Sequence, residues 1–132
     1  MHNTLQYTEF LQRVEDQIYA TQPATQTQRA AEQAITATLE TLSERLTGGE
    51  ANDLAAQLPE ELKAPLQRSG EEGERFSLEE FYNRVAEREG VDIETARNDA
   101  SSVMSVLRVA VTPGQLDDLM AQLPSEFNGL FR

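Results

Sequence analysis

Two aspartates and two glutamates recur at matching places in the chain, and they are the residues from which chemistry could be built. Asp53 and Asp118 lie between a Thr-x-Gly turn and the stretch Leu-x-Ala-Gln-Leu-Pro; Glu61 and Glu126 stand just beyond it. If the two surrounding segments pack about an approximate two-fold, equivalent carboxylates near its axis approach one another. Such a pair can hold a hard cation such as calcium or magnesium, or share a proton. The plainer reading is a solvated helix face or a cap, and with no histidine nearby it weighs more. Asp53 and Asp118 are therefore the residues to watch for a metal, and no metal or cofactor is assigned. A thermal-shift screen with millimolar calcium, magnesium and manganese is the direct test.

Other chemistries find less support. His2 is the only histidine and is expected in a frayed terminus, which leaves no histidine for acid–base or nucleophilic work. Serines and threonines without a base partner read as caps and helix-surface residues. The absence of cysteine excludes disulfides and thiolate metal sites. Gly48-Gly49 is a helix terminator, not a phosphate loop. No catalytic residue is assigned. Gln57 and Gln122 are different, because each is a polar residue set between two leucines at a helix end. They are expected to bond free carbonyl or amide groups at the proline junctions Pro59 and Pro124, with ligand contact as the other use.

The elements that position these residues come in two sets. Phe10, Val14 and Ile18 with Leu11 form one apolar stripe over residues 7 to 19, with Glu9 placed to pair with Arg13. A Thr/Gln/Pro loop follows, then a long helix over 28 to 46 carrying Ala31, Ile35, Leu39, Leu42 and Leu46, with Thr25 or Thr27 as its N-cap. Thr47 and Glu50 form a capping box for a short helix over 48 to 57, and Pro59 turns the chain into another over 59 to 66. After a Gly/Ser/charge-rich connector the pattern restarts: Ser77 caps a helix with Phe81, Val85 and the Glu80–Arg84 pair. Asp92 then caps a long helix over 93 to 111, and Thr112-Pro113-Gly114-Gln115 repeats the turn. The closing stretch presents Phe127, Leu130 and Phe131. The first helices match at a shift of 71 positions and the later ones at 65, so the first copy carries six extra residues in its Thr/Gln loop.

The expected fold is all-α: two tandem copies of a small four-helix unit packed about a pseudo-two-fold. They make one compact domain with repeat one over 7–66, a connector over 67–75 and repeat two over 76–131. The copies disagree most on the long helix, where Thr41, Glu44 and Arg45 become Val106, Val109 and Ala110. A helix apolar nearly all round is either central to a fold or part of an interface, which makes Val106 and Val109 the interface candidates.

These motifs together, the Phe-x-x-x-Val helix, the Gly turn and the doubled Gln-Leu-Pro, resemble the uncharacterised prokaryotic family of domains of unknown function numbered 2267. The resemblance covers essentially the whole chain. It implies an all-helical prokaryotic protein and brings no activity and no catalytic residues.

Charge bounds the partners. At a formal −12 the chain repels nucleic-acid backbones and anionic membranes, and a basic protein partner suits it better. No apolar run approaches the roughly 20 residues of a membrane helix. With no signal peptide visible, the expected location is the cytoplasm. The expected function is a non-catalytic protein-interaction or adaptor module; the alternative is a small-ligand binder or enzyme with its site in the cleft between the repeats.

Overall fold

The computed structural model describes residues 5–21, 27–67 and 72–131. His2, the centre of the Thr/Gln loop, Thr25, the side chain of Thr27 and the middle of the connector lie outside them. Among the described residues the fold is all-helical. Its α-helices are α1 (Tyr7–Thr21), α2 (Thr27–Arg45), α3 (Gly48–Ala56), α4 (Leu78–Glu89), α5 (Ile93–Ala110) and α6 (Pro113–Ala121). None is long and apolar enough to cross a membrane.

Helix starts follow the chemistry of their caps. Thr47, Ser77, Asp92 and Thr112 each sit in extended backbone and accept the amide proton of the residue three positions on. The α4 end is set by Gly90, whose φ of 72° is left-handed backbone that glycine adopts without a Cβ clash. The 59–66 segment is not one helix but two 3-10 turns, Glu60–Leu62 and Ala64–Leu66, with Pro59 as the N-cap of the first. Pro65 explains the break, since it has no N–H to donate back along the segment. The closing Ser125–Phe131 is also a 3-10 run.

Four helices carry the core. α1 and α4 each pack against both α2 and α5, and α2 and α5 touch each other. Phe10, Leu39 and Leu42 on one side, and Phe81, Met104, Leu107 and Phe127 on the other, are fully buried. Each such side chain contributes about 1.5–3 kcal/mol on leaving water. Phe81 meets both Tyr82 and Phe127 edge-on, the arrangement that aromatic quadrupoles favour. α3 and α6 lie against one another. The connector crosses the end of α2: the Glu74 amide donates to the Glu44 carbonyl at 2.8 Å. There a Cβ on Gly73 would fall 2.4 Å from the Arg45 carbonyl oxygen, so only glycine fits.

Candidate functional site

At the contact of α3 with α6, the two glutamines do not serve their own proline junctions. The Gln57 carbonyl oxygen accepts the Thr112 amide at 2.9 Å, and the Gln122 carbonyl oxygen accepts the Thr47 amide at 3.2 Å. Each thus satisfies the first amide of the other short helix, a donor that has no partner within its own helix. This also corrects the expected Thr47–Glu50 box. The Glu50 amide does bond Thr47 Oγ1. The return bond to the Thr47 amide comes from Gln122, and the Glu50 carboxylate instead accepts Gln115 Nε2 at 2.5 Å. Gln57 Nε2 adds a bond to Gln115 Oε1. Burial, then the charges of Asp118 and Asp53, raise the pKa of Glu50 above the ordinary carboxylate range.

Asp53 and Asp118 are therefore both near Glu50, and both are exposed. Glu61 and Glu126 are kept apart: Glu61 lies near Tyr7, while Glu126 Oε1 accepts the Leu78 amide. Among the described residues, no three acidic or histidine side chains gather where an ion could be held. Pro59 and Pro124 each start a 3-10 segment, their carbonyls accepting the Leu62 and Phe127 amides.

The second region is a pair of seams. Between α2 and α4, Arg84 reaches Glu44, Glu74 and Glu80 at 3.1, 3.1 and 2.9 Å while its guanidinium lies 4.0 Å from the Phe76 ring. Arg88 bonds Glu44 at 2.6 Å and Thr41 at 2.7 Å. Burial works to raise the Glu44 pKa, but bonds and charge from Arg88 and Arg84 outweigh it and hold the carboxyl below its ordinary value. Between α1 and α5, among the described residues, no ion pair crosses the seam. The expected Glu9–Arg13 pair is not formed, although Glu9 is the counterpart of Glu80; the cross-seam acid that also holds Arg84 is absent, since Val109 stands where Glu44 stands in the other seam. Ser105 Oγ donates to Gln17 Oε1 at 2.8 Å. Val106 is 2% exposed and Val109 54%. The helix that was expected to be either central or interfacial is thus central at one valine and open at the other. A groove of about 310 Å³ runs along Arg13, Asp16, Gln17, Ser105, Val106 and Val109.

A wider cleft of about 620 Å³ is lined by Arg45 and Thr47, by Glu72, Gly73 and Arg75 of the connector, and by 121–124. Arg45 Nε donates to the Phe76 carbonyl, and its guanidinium lies over the Phe127 ring. Burial first, and then Arg75 beside it, make Arg45 a weaker base than usual, with Glu126 opposing.

The feature that the residue pattern did not reveal is a carboxyl pair. Glu89 ends α4 and lies within hydrogen-bonding reach of Asp99 of α5, which is 3% exposed. Burial and the neighbouring Asp99 push Glu89 up to about 9. A signal existed: at the shifts of 71 and 65, Glu89 and Asp99 match Ile18 and Ala34, so two acids stand where the matching positions are apolar.

With this geometry in view, the chain belongs to the family described as "Uncharacterized conserved protein (DUF2267)", whose profile matches residues 7–130. No curated protein matches the chain.

Proposed function

We propose that this protein is a non-catalytic, cytoplasmic protein-interaction module made of two tandem four-helix copies about a pseudo-two-fold, and that its docking face is the α1–α5 seam. The observation that carries the reading is Val109. It is half-exposed over a groove, whereas the matching position between α2 and α4 is Glu44, which Arg84 and Arg88 bridge. A partner presenting an apolar side chain flanked by basic groups suits Val109 and Asp16 together, and the net charge of −12 steers such a partner inward. The two-fold draws support from the reciprocal Gln57–Thr112 and Gln122–Thr47 bonds and from the meeting of Glu50 with Gln115, its own counterpart. Side chains in the described caps (Thr47, Ser77, Thr112) are engaged in starting helices, which supports a non-catalytic reading.

The test is a pull-down of the full chain from native lysate beside V109E, with circular dichroism to verify the fold. A stoichiometric partner retained by the wild type and lost by V109E is expected. Equal capture by both, or no partner with either, sinks the reading.

A second reading, a small-ligand binder, rests on the Arg45/Arg75 cleft, which is lined from both copies and the connector. Native mass spectrometry of the gently purified protein decides it. A co-purified anionic small molecule that is lost with R75E favours this reading over docking.

A further inference from the structure

We propose that Glu89 and Asp99 share a proton that ties the end of α4 to α5, so that this contact senses alkaline pH while its apolar counterpart at Ile18 and Ala34 does not. The argument starts from bonding. Two carboxylates offer only acceptors, so Glu89 and the buried Asp99 can bond in this contact only if one of them keeps its proton. Glu89 Oε2 is buried without a hydrogen-bond partner, a state that a neutral carboxyl tolerates far better than an anion does. Glu89 is also the last residue of α4, where the free carbonyls of the helix disfavour negative charge.

The cations nearby are committed elsewhere. On α4 itself, Arg88 faces α2 and is held by Glu40, Glu44 and Thr41. On α5, Arg97 pairs with Glu79 and lies over Tyr82, and Asp92 caps the helix through Thr95. From α2 the facing acids, Glu40 and Glu44, are paired with these arginines. Asp99 is the charged group that acts on Glu89. The proton lost at high pH goes to solvent and leaves two like charges in one buried contact. Relief comes by loosening the α4 end and its Gly90–Val91 turn, where both amides return to the Ala86 carbonyl. In the first half, Ile18 and Ala34 occupy the counterpart positions and have nothing to titrate.

Linkage fixes the sign. The folded Glu89 holds its proton up to about 9, whereas an unfolded glutamate releases it near its ordinary value. Stability from this group is fully present below the ordinary glutamate range and is lost as pH rises through about 9. Across that interval the unfolding equilibrium constant rises up to tenfold per pH unit.

The experiment is urea unfolding of wild type, E89Q and D99N at intervals from pH 5 to 9.5. The E89Q amide keeps a donor for Asp99 and removes the titration, so its unfolding constant is expected to diverge from wild type progressively up to about pH 9 and then run parallel. Parallel curves throughout overturn the proposal. A second measurement holds even if a variant fails to fold: the side-chain carboxyl carbon of Glu89 in labelled wild type, followed by NMR. Ionisation above pH 7, with exchange of the Gly90 and Val91 amides rising more steeply with pH than base catalysis alone gives, is expected; ionisation in the ordinary glutamate range overturns the idea.

Discussion

The α2–α4 and α1–α5 seams occupy corresponding places in the chain and are finished in opposite ways. Arg84 and Arg88 of α4 close onto Glu40, Thr41 and Glu44 of α2. Their counterparts Arg13 and Gln17 of α1 face Ser105, Val106 and Val109 of α5. Both seams bury apolar side chains, and they differ most in the outer row, with buried Thr38 and Thr41 of α2 answering to Val103 and Val106 of α5. Apolar depth decides whether helices pack, because it removes area from water. An outer row of ion pairs adds less stability and instead excludes other occupants, since a newcomer must displace charges already satisfied. One seam is thus bridged by ion pairs, beside a groove of about 260 Å³ at Glu40 and Arg88, and the other presents Val109 to its groove of about 310 Å³.

The depth gives the largest expected effect. Leu42 and Leu107 are fully buried counterparts on α2 and α5. L42A and L107A should each cost about 2–5 kcal/mol in urea unfolding, the usual range for a buried leucine replaced by a small residue. Two losses within about 1 kcal/mol of each other would match seams of equal depth. A loss below about 1 kcal/mol at one of them would break the comparison, since that side would be held by something else.

Next in size is the outer row. Arg84 joins a network of three carboxylates and lies over Phe76, yet its side chain is one-quarter exposed, so solvent and salt screen it. R84A should cost about 1–2 kcal/mol, shrinking as salt is raised. R13A should stay within about 0.5 kcal/mol and ignore salt. Because pairing holds Glu44 below the ordinary carboxylate range, its contribution is present above that range and lost as pH falls through its folded value. R84A should therefore also weaken the acid sensitivity of wild type. Equal salt dependence in R84A and R13A would deny that the two rows differ.

A third comparison lies in the crossed glutamines. Gln57 bonds the Thr112 amide and Gln115 in partly buried surroundings, while Gln122 serves Thr47 in an exposed one. Q57A should cost about 1 kcal/mol and Q122A about 0.5 kcal/mol. The reverse order, measured by thermal unfolding, would indicate that the α3–α6 contact is not organised as its hydrogen bonds suggest.

How much of this could be read from residues alone follows from how local each signal is. Caps at Thr47, Ser77, Asp92 and Thr112 were legible because a side chain three positions from its amide needs no tertiary knowledge. The core stripes were legible by period, and so was Pro59 as a junction. The destination of the Gln57 and Gln122 bonds was not, because their partners lie 55 and 75 residues away and depend on how α3 meets α6. Val109 and Val106 look alike in sequence; which valine of a largely apolar helix stays open is decided only after its neighbours are placed. Glu89 and Asp99 were hidden for a similar reason. Each passes as a surface acid until α4 and α5 come together, and only the comparison with Ile18 and Ala34 marks them as out of place.

The smallest expected effect is the sharpest on geometry. If the seams truly correspond, the outer row of one can be rebuilt on the other: Q17R and V109E would recreate between α1 and α5 the contact that Arg88 makes with Glu44 at 2.6 Å. Each change alone should move stability by less than about 0.5 kcal/mol, because Gln17 and Val109 are exposed. Together they should be better than their sum by about 0.5 kcal/mol, with the gain falling at high salt. Arg13 lies in the same groove and would add to the coupling, so the cycle repeated on an R13A background isolates the new pair. A coupling near zero at low salt would mean that the α1–α5 helices are not spaced as α2 and α4 are. The open groove at Val109 would then follow from a different helix packing, with no bearing on the choice of outer side chains.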